Sequence, residues 1–432
     1  MRSTVSGHVF SVLPTVRRSF DTVNTAIRFS SRTVPFEPNP IALAEADMSR
    51  AGCTLRKLND SNPTKHGLGP KSIEGAYDAD PKGPRQAREA LSVMMNSRNR
   101  RSADGWGDDA PAQHVDPASL YLLSSTSQAY SWLIKLLCDA GDAVLVPKPG
   151  YPLVESIARL ECVEALRYPL RYDGSWTIDV AAIADMLESD THGRIRALIV
   201  INPNNPTASY LREEEREAIL ALCRRYGVAI IADEVFYEYA FADEQACPKR
   251  RRFAGEPSVL TFALDGFSKL LAAPHAKVGW IQLSGPDADV REATLRLDAI
   301  ADDYLPMSSI IADRIPELLG IADSQSDLVR HRVSGNLATL RQMLKEDEHG
   351  LVNVLHAEGG WNVLLRFPAV IDEDELVIAL MRDCGLTAQP GYFFDMESNG
   401  FLALSLLPEP PEFERNVGDV LQEVNSRIAS MA

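Results

Sequence analysis

Apolar residues in the middle of the chain come in short runs separated by stretches with helical spacing. The runs AVLVPKP (143–149), ALIVINP (197–203), AIIADE (229–234), VLTFAL (259–264) and KVGWIQL (277–283) read as buried strands, because a strand covered on both faces lacks polar alternation. Between two of them, LREEEREAILALCRRYG (211–227) carries acids first, basic residues last and a closing glycine. That order suits a helix dipole and a left-handed helix end. Strands alternating with amphipathic helices predict an α/β fold with a mostly parallel central sheet. The polar stretch 97–119 predicts a surface loop. Beyond residue 320 the pattern changes to a long helical stretch at 323–346, a strand-like GGWNVLLRFP (359–368) and a final helix. The expected division is a large α/β domain over 76–320 and a smaller α+β domain built from 1–75 and 321–432.

A chain of 432 residues exceeds what one core usually supports, which agrees with two domains. The formal net charge of −16 disfavours nucleic acid or an anionic membrane as the main partner, since phosphates repel such a surface. The run KRRRF (249–253) is either a solvated loop or a small basic patch. Six cysteines, at 53, 138, 162, 223, 247 and 384, form no CxxC pair and have no histidines at zinc spacing. No metal is expected, and free thiols fit a reducing compartment. No apolar run approaches the ~18 residues of a membrane helix. The first twenty residues are rich in Arg and Ser and lack acids, as in an organelle transit peptide. The favoured reading is instead a frayed extension of a cytoplasmic protein, and cytoplasmic is the expected location.

Ligands of open α/β sheets gather at the carboxyl ends of the strands, so the polar residues after each run are the candidates for chemistry. SSTSQAYSWLIKLL (124–137) opens a helix with small hydroxyl residues. Ser125 and Thr126 there either bind an anion such as a phosphate or simply cap the helix. PKPGYP puts Tyr151 on a stiff turn, where its ring lies against a flat ligand or packs in the core. NPNNPTASY holds Asn205 between prolines, and ADEVF ends an apolar strand on Asp233. That carboxylate either caps backbone N–H groups or meets a buried cation. In DGFSKLL, Lys269 has apolar neighbours Phe267, Leu270 and Leu271. Partial burial would lower its pKa and make it a nucleophile at neutral pH. GLGPKS (67–72) completes neither a Walker loop nor GxGxxG, and no Ser-His-Asp order or HExxH motif is present.

The ordered series STSQA, PGYP, NPNNPT, ADE and SKLLAAPHAKVGW resembles the class I/II aminotransferases, fold-type-I pyridoxal-phosphate enzymes of the aspartate aminotransferase fold. The resemblance runs from about residue 55 to the C-terminus. It implies that Lys269 holds pyridoxal phosphate as an imine and later shuttles a proton at the substrate's Cα. It implies that Asp233 pairs with the pyridine nitrogen, Asn205 donates to the ring 3′ oxygen and Tyr151 stacks on the ring. Ser125, Thr126, Ser268 and Lys277 would hold the phosphate, and Tyr77 would reach the phosphate of the neighbouring subunit of a homodimer. Three cofactor-contact positions depart from the family pattern. Lys277 stands for an arginine, Phe236 for a tyrosine that donates to the 3′ oxygen, and Gly266 for a phosphate-binding serine. Ala403 stands where the family carries the arginine that clamps the substrate carboxylate, and Asn62 and Lys65 are candidate replacements. Trp361 and Phe393 could wall the pocket or be plain core.

The expected activity is transfer of an amino group between an amino acid and a 2-oxo acid. A β-lyase, oxidase or cyclase using the same cofactor is the first alternative, because the missing arginine alters how a substrate is gripped. A non-catalytic binding protein of the same fold is the second, and the intact Lys269, Asp233 and Asn205 argue against it.

Overall fold

The computed structural model describes residues 26–33, 43, 47–48, 50–52, 79–105, 114–241 and 251–431. Strands β1 (Leu120–Leu123), β2 (Ala143–Lys148), β3 (Glu164–Tyr172), β4 (Trp176–Ile178), β5 (Ile195–Ile201), β6 (Ala229–Asp233), β7 (Thr261–Gly266) and β8 (Gly279–Ser284) share one sheet. Their spatial order is β1-β8-β7-β6-β5-β2-β3-β4. The five strands β3, β2, β5, β6 and β7 are parallel. β8 runs antiparallel to both β7 and β1, and β4 antiparallel to β3.

Alternate residues of the central strands enter two different cores. Val144, Ile199 and Ile231 pack with the helices Thr126–Leu137 and Asp287–Tyr304 on one face. Leu145, Leu198, Val200 and Ile230 pack with Val180–Ser189 and Glu213–Tyr226 on the other. Burial on both faces is why these strands are unbroken apolar runs. The Glu213–Tyr226 helix starts on three glutamates and stops at Gly227, whose φ of 63° suits a residue without Cβ.

A second sheet contains β9 (Asn353–Val354), β10 (Asn362–Arg366), β11 (Gln389–Pro390) and β12 (Phe401–Ser405), in the order β11-β12-β10-β9. It is antiparallel throughout. Val363, Leu365, Leu402 and Leu406 pack against the long helices Ala322–Glu346 and Pro410–Met431. Leu364, Phe401 and Ala403 look the other way and join the core under the first sheet. Residues 26–33 lie on the first sheet's helical layer: the Ser30 amide donates to the Leu136 carbonyl at 2.9 Å, and Phe29 packs on that core.

Two expectations need correction. The stretch 97–119 is not simply a loop, because a helix runs Arg85–Gly105 and Pro117–Ser119 forms a short helical turn. The polar end of that helix is held by ion pairs, Arg98 reaching Asp323 at 2.8 Å and Glu238 at 3.6 Å, so no apolar stripe marks it. The run at 277–283 forms a strand that reverses direction, since its connection holds only the short helix Phe267–Leu270 and a helical turn. Strands β1, β3 and β4 were not anticipated. β3 sits near the sheet edge with seven of its nine residues exposed or partly exposed. None of the described helices is long and apolar enough to cross a membrane.

Candidate active site

Sheet register brings the singled-out residues to one edge. β8 begins at Gly279, which pairs with Leu123 on one side and Gly266 on the other. The residues following β1 and β7 therefore emerge side by side. Ser125 and Thr126 open the Thr126–Leu137 helix beside the segment that carries Ser268 and Lys269. A Cβ added to Gly279 would lie 3.0 Å from the Ser125 carbonyl carbon and 3.1 Å from the Thr126 nitrogen. Only glycine lets the strand start this close to the helix N-terminus, where free N–H groups favour an anion. Ser125 is itself the N-cap, its hydroxyl accepting from the Gln128 amide at 3.2 Å. The helix-capping reading of that serine is therefore met. Lys277, two residues before Gly279, has φ 54° and an exposed side chain.

Two strands over, β5 ends at Ile201 and β6 at Asp233, paired with each other. The Asn202 amide donates to the Asp233 carbonyl at 2.8 Å, which seats the Asn-Pro loop beside the carboxylate. Asn204 ties that loop to the Tyr151 turn, donating to the Pro149 carbonyl at 3.1 Å and to Thr207 Oγ1 at 2.9 Å. Asn205 Oδ1 accepts from Asn362 Nδ2 at 3.1 Å. Tyr151 is 47% exposed, so it is not a core residue and its ring is available to a flat ligand.

Asp233 is the electrostatic centre. Burial pushes its carboxyl above the usual range, while the Tyr130 hydroxyl, the Val235 amide and the nearby Lys269 pull it back down. Tyr130 Oη donates to Asp233 Oδ2 at 2.9 Å. Lys269 is held below the ordinary lysine value by burial, against the pull of Asp233. Its Nζ lies 4.9 Å from the Phe236 ring centre and 4.7 Å from that of Trp361. Both aromatic faces attract a cation but offer it no acceptor oxygen. Tyr239 fixes the backbone beneath, donating to the Lys269 carbonyl at 2.5 Å. Behind the lysine, burial pushes Asp265 up to about 7, against the pull of Arg252 and the Gly266 amide.

Two departures from the family pattern have visible causes. A Cβ on Gly266 would stand 2.8 Å from the Val278 carbonyl oxygen, so a serine there needs the strand to shift. Phe236 is buried and stacks edge-on with Trp361, ring centres 5.5 Å apart. Trp361 is 7% exposed and belongs to the second core, whereas Phe393 is 50% exposed. Ala403 lies on β12 opposite Leu364. Tyr77, Asn62 and Lys65 lie outside the described residues. Tyr130 and Asn362 were missed. Tyr130 could have been found as a tyrosine one turn inside a helix that starts at a strand end, but nothing local marks Asn362.

An α/β protein with a partly buried amine and a partly buried carboxylate at the ends of parallel strands is, by fold and site, of the class whose ligand lies across that edge. The profile of the family described as aminotransferase class I and II matches residues 87–410, and the chain belongs to that family. It is 28% identical over 242 residues to an S-alkyl-thiohydroximate lyase of Arabidopsis thaliana, covering 54% of this chain and 50% of that protein. It is 26% identical over 313 residues to a mitochondrial alanine aminotransferase of the same plant, covering 68% and 57%. The chain thus spans about half the length of these two relatives. With a glutamate-pyruvate aminotransferase of Haemophilus influenzae it shares 24% over 300 residues, covering 67% and 70%. Among solved structures, an aminotransferase from Escherichia coli superposes with a TM-score of 0.69 at 22% identity, covering 92% of this chain and 98% of that one. The fold is therefore the fold-type-I aminotransferase fold.

The cofactor of this family is pyridoxal phosphate, and the residues present fit it. A carboxylate that burial drives toward neutrality is suited to a cationic ring nitrogen. An amine that burial holds below the ordinary lysine value is suited to an aldehyde. The helix N-terminus that Gly279 leaves open is suited to a phosphate.

Proposed function

We propose that the chain is a pyridoxal-phosphate aminotransferase, moving an amino group from a donor amino acid to a 2-oxo acid in two half-reactions. What supports this most is that Lys269 and Asp233 stand on one sheet edge, burial holding the amine below and the carboxyl above their ordinary values. Lys269 Nζ would hold the cofactor and would move a proton at the substrate's Cα. When bound, the cofactor supplies an electron sink for the negative charge left at that carbon. Asp233, oriented by Tyr130, keeps the ring nitrogen protonated. Asn205 would donate to the cofactor's ring oxygen, and Tyr151 would lie against its ring. Ser125, Thr126, Ser268 and Lys277 hold the phosphate, Lys277 as a point charge without the bidentate fork of arginine.

The assembly follows from the same reading. The chain works as a homodimer, with Tyr77 contributing to the partner's phosphate site. Asn62 and Lys65 compensate for the missing carboxylate arginine at Ala403. The chain divides into a large unit over 76–320 and a smaller one of 321–432 with 1–75, of which 26–33 cross onto the large unit. The location we favour is cytoplasmic.

A β-lyase reaction is the second reading. It is favoured by the absence of an arginine at Ala403 and by the likeness to an S-alkyl-thiohydroximate lyase. Mixing the cofactor-loaded protein with single amino acids tests both. Stoichiometric conversion of the cofactor to its amine form by one donor, reversed by a 2-oxo acid, supports transfer. Sustained pyruvate and ammonia without a 2-oxo acid would replace it with the lyase.

A further inference from the structure

Asn205 lies in the turn after β5 and Asn362 opens β10 of the second sheet, 157 positions apart, yet their side chains meet at 3.1 Å. The direction of this bond matters because a carboxamide has two unlike ends. One is an acceptor oxygen and the other an NH2 donor. Asn362 Nδ2 donates to Asn205 Oδ1, so the acceptor end of Asn205 is engaged and its Nδ2 is the end left to a ligand. Nδ2 of Asn205 has no partner among the described residues.

Both backbones are held. Asn204 anchors one loop through Pro149 and Thr207. On the other side, the Leu406 amide donates to the Trp361 carbonyl at 2.8 Å, and Asn362 pairs in register with Ser405. The indole of Trp361, next to Asn362, lies 4.7 Å from Lys269 Nζ, so this strand end borders the reacting amine.

We propose that Asn362 is a positioning residue that fixes which end of the Asn205 amide faces the cofactor, so that Asn205 presents a donor to the ring 3′ oxygen. The inference rests on the function proposed above. It acquires weight here because Phe236 supplies no hydroxyl to that oxygen. With one side-chain donor where relatives of the resembled family have two, the orientation of that donor controls how far the negative oxygen is stabilised. It also couples the second sheet to the chemistry, since withdrawing β10 would release the Asn205 amide.

The test is a visible-absorbance pH titration of the lysine-linked cofactor without substrate, in wild type, Asn362→Asp and Asn362→Leu, each also in an Asn205→Ala background. A carboxylate at 362 accepts instead of donating, so Asn205 must turn its NH2 toward it and its oxygen toward the ring. The titration should then move up by about one pH unit, the size of one charge-assisted hydrogen bond. Asn362→Leu, which carries no charge, should move it up by less. The new charge at 362 would raise the titration by itself, so the decisive comparison is the cycle. In the Asn205→Ala background the Leu shift should vanish and the Asp shift should shrink. A merely structural role would lower the melting temperature of the cofactor-free protein and leave the titration where it was. If Asn362→Leu titrates with wild type, or if the Asn205→Ala background leaves both shifts intact, the inference is overturned. A wild-type protein with no pH-sensitive visible band would overturn the proposed function first, and this inference with it.

Discussion

At Lys269 the cost of burying a charged amine and the attraction of Asp233 oppose each other, and burial is the larger effect. The amine is therefore more easily deprotonated than a surface lysine, which is what condensation with an aldehyde requires. Replacing it with arginine keeps charge and bulk but removes the nucleophile. Lys269→Arg should lower turnover at least ~100-fold, the lower range for loss of a positioned proton-transfer group, with no covalent cofactor by mass spectrometry. Phe236 is the informative neighbour. Phe236→Tyr places a hydroxyl near the 3′ oxygen, and the titration of the lysine-linked cofactor should move down by about one pH unit, one added hydrogen bond to a charged oxygen. An unmoved titration would mean that residue 236 does not face that oxygen. Sign and direction follow from which protonation state the new donor favours: it stabilises the negative oxygen, so the proton leaves earlier.

Elements place these groups more than local residues do. Gly279 is the clearest case, because its missing Cβ lets β8 start against the opening of the Thr126–Leu137 helix. Gly279→Ala should push the two apart, costing about 1–3 kcal/mol of stability as overpacking. Cofactor affinity should fall more steeply than melting temperature; equal losses in both would point to a fold defect instead. The strand ends were legible in the chain because central strands are continuous apolar runs and their first polar residues stand out, as Asp233 does at the end of β6. What escaped is what depends on partners distant in sequence. The Arg85–Gly105 helix is held by Arg98 pairing with Asp323 and Glu238, so its outer end looks like loop. β8 reverses direction without a local signal. Tyr130 and Asn362 acquire meaning only once the fold brings them to Asp233 and Asn205.

For the whole molecule, burial of ionisable groups around the site makes stability depend on pH. Asp265 is pushed up to about 7 from an ordinary aspartate value. Between the unfolded value near 4 and about 7 the folded state holds the proton more tightly, so this group's contribution is full in acid and lost as pH rises through that window. Asp265→Asn should flatten the wild-type decline in stability of the cofactor-free protein over that range, measured by urea unfolding at several pH values. Parallel declines in the two proteins would show that Asp265 is not held protonated. Cofactor binding, which favours only the folded state, should raise the melting temperature with concentration. The most direct measurement is borohydride reduction of the cofactor-loaded protein followed by peptide mapping. A pyridoxyl label confined to the peptide containing Lys269 is the predicted result; a label on another lysine, or none, would contradict the assignment on which the site and its function stand.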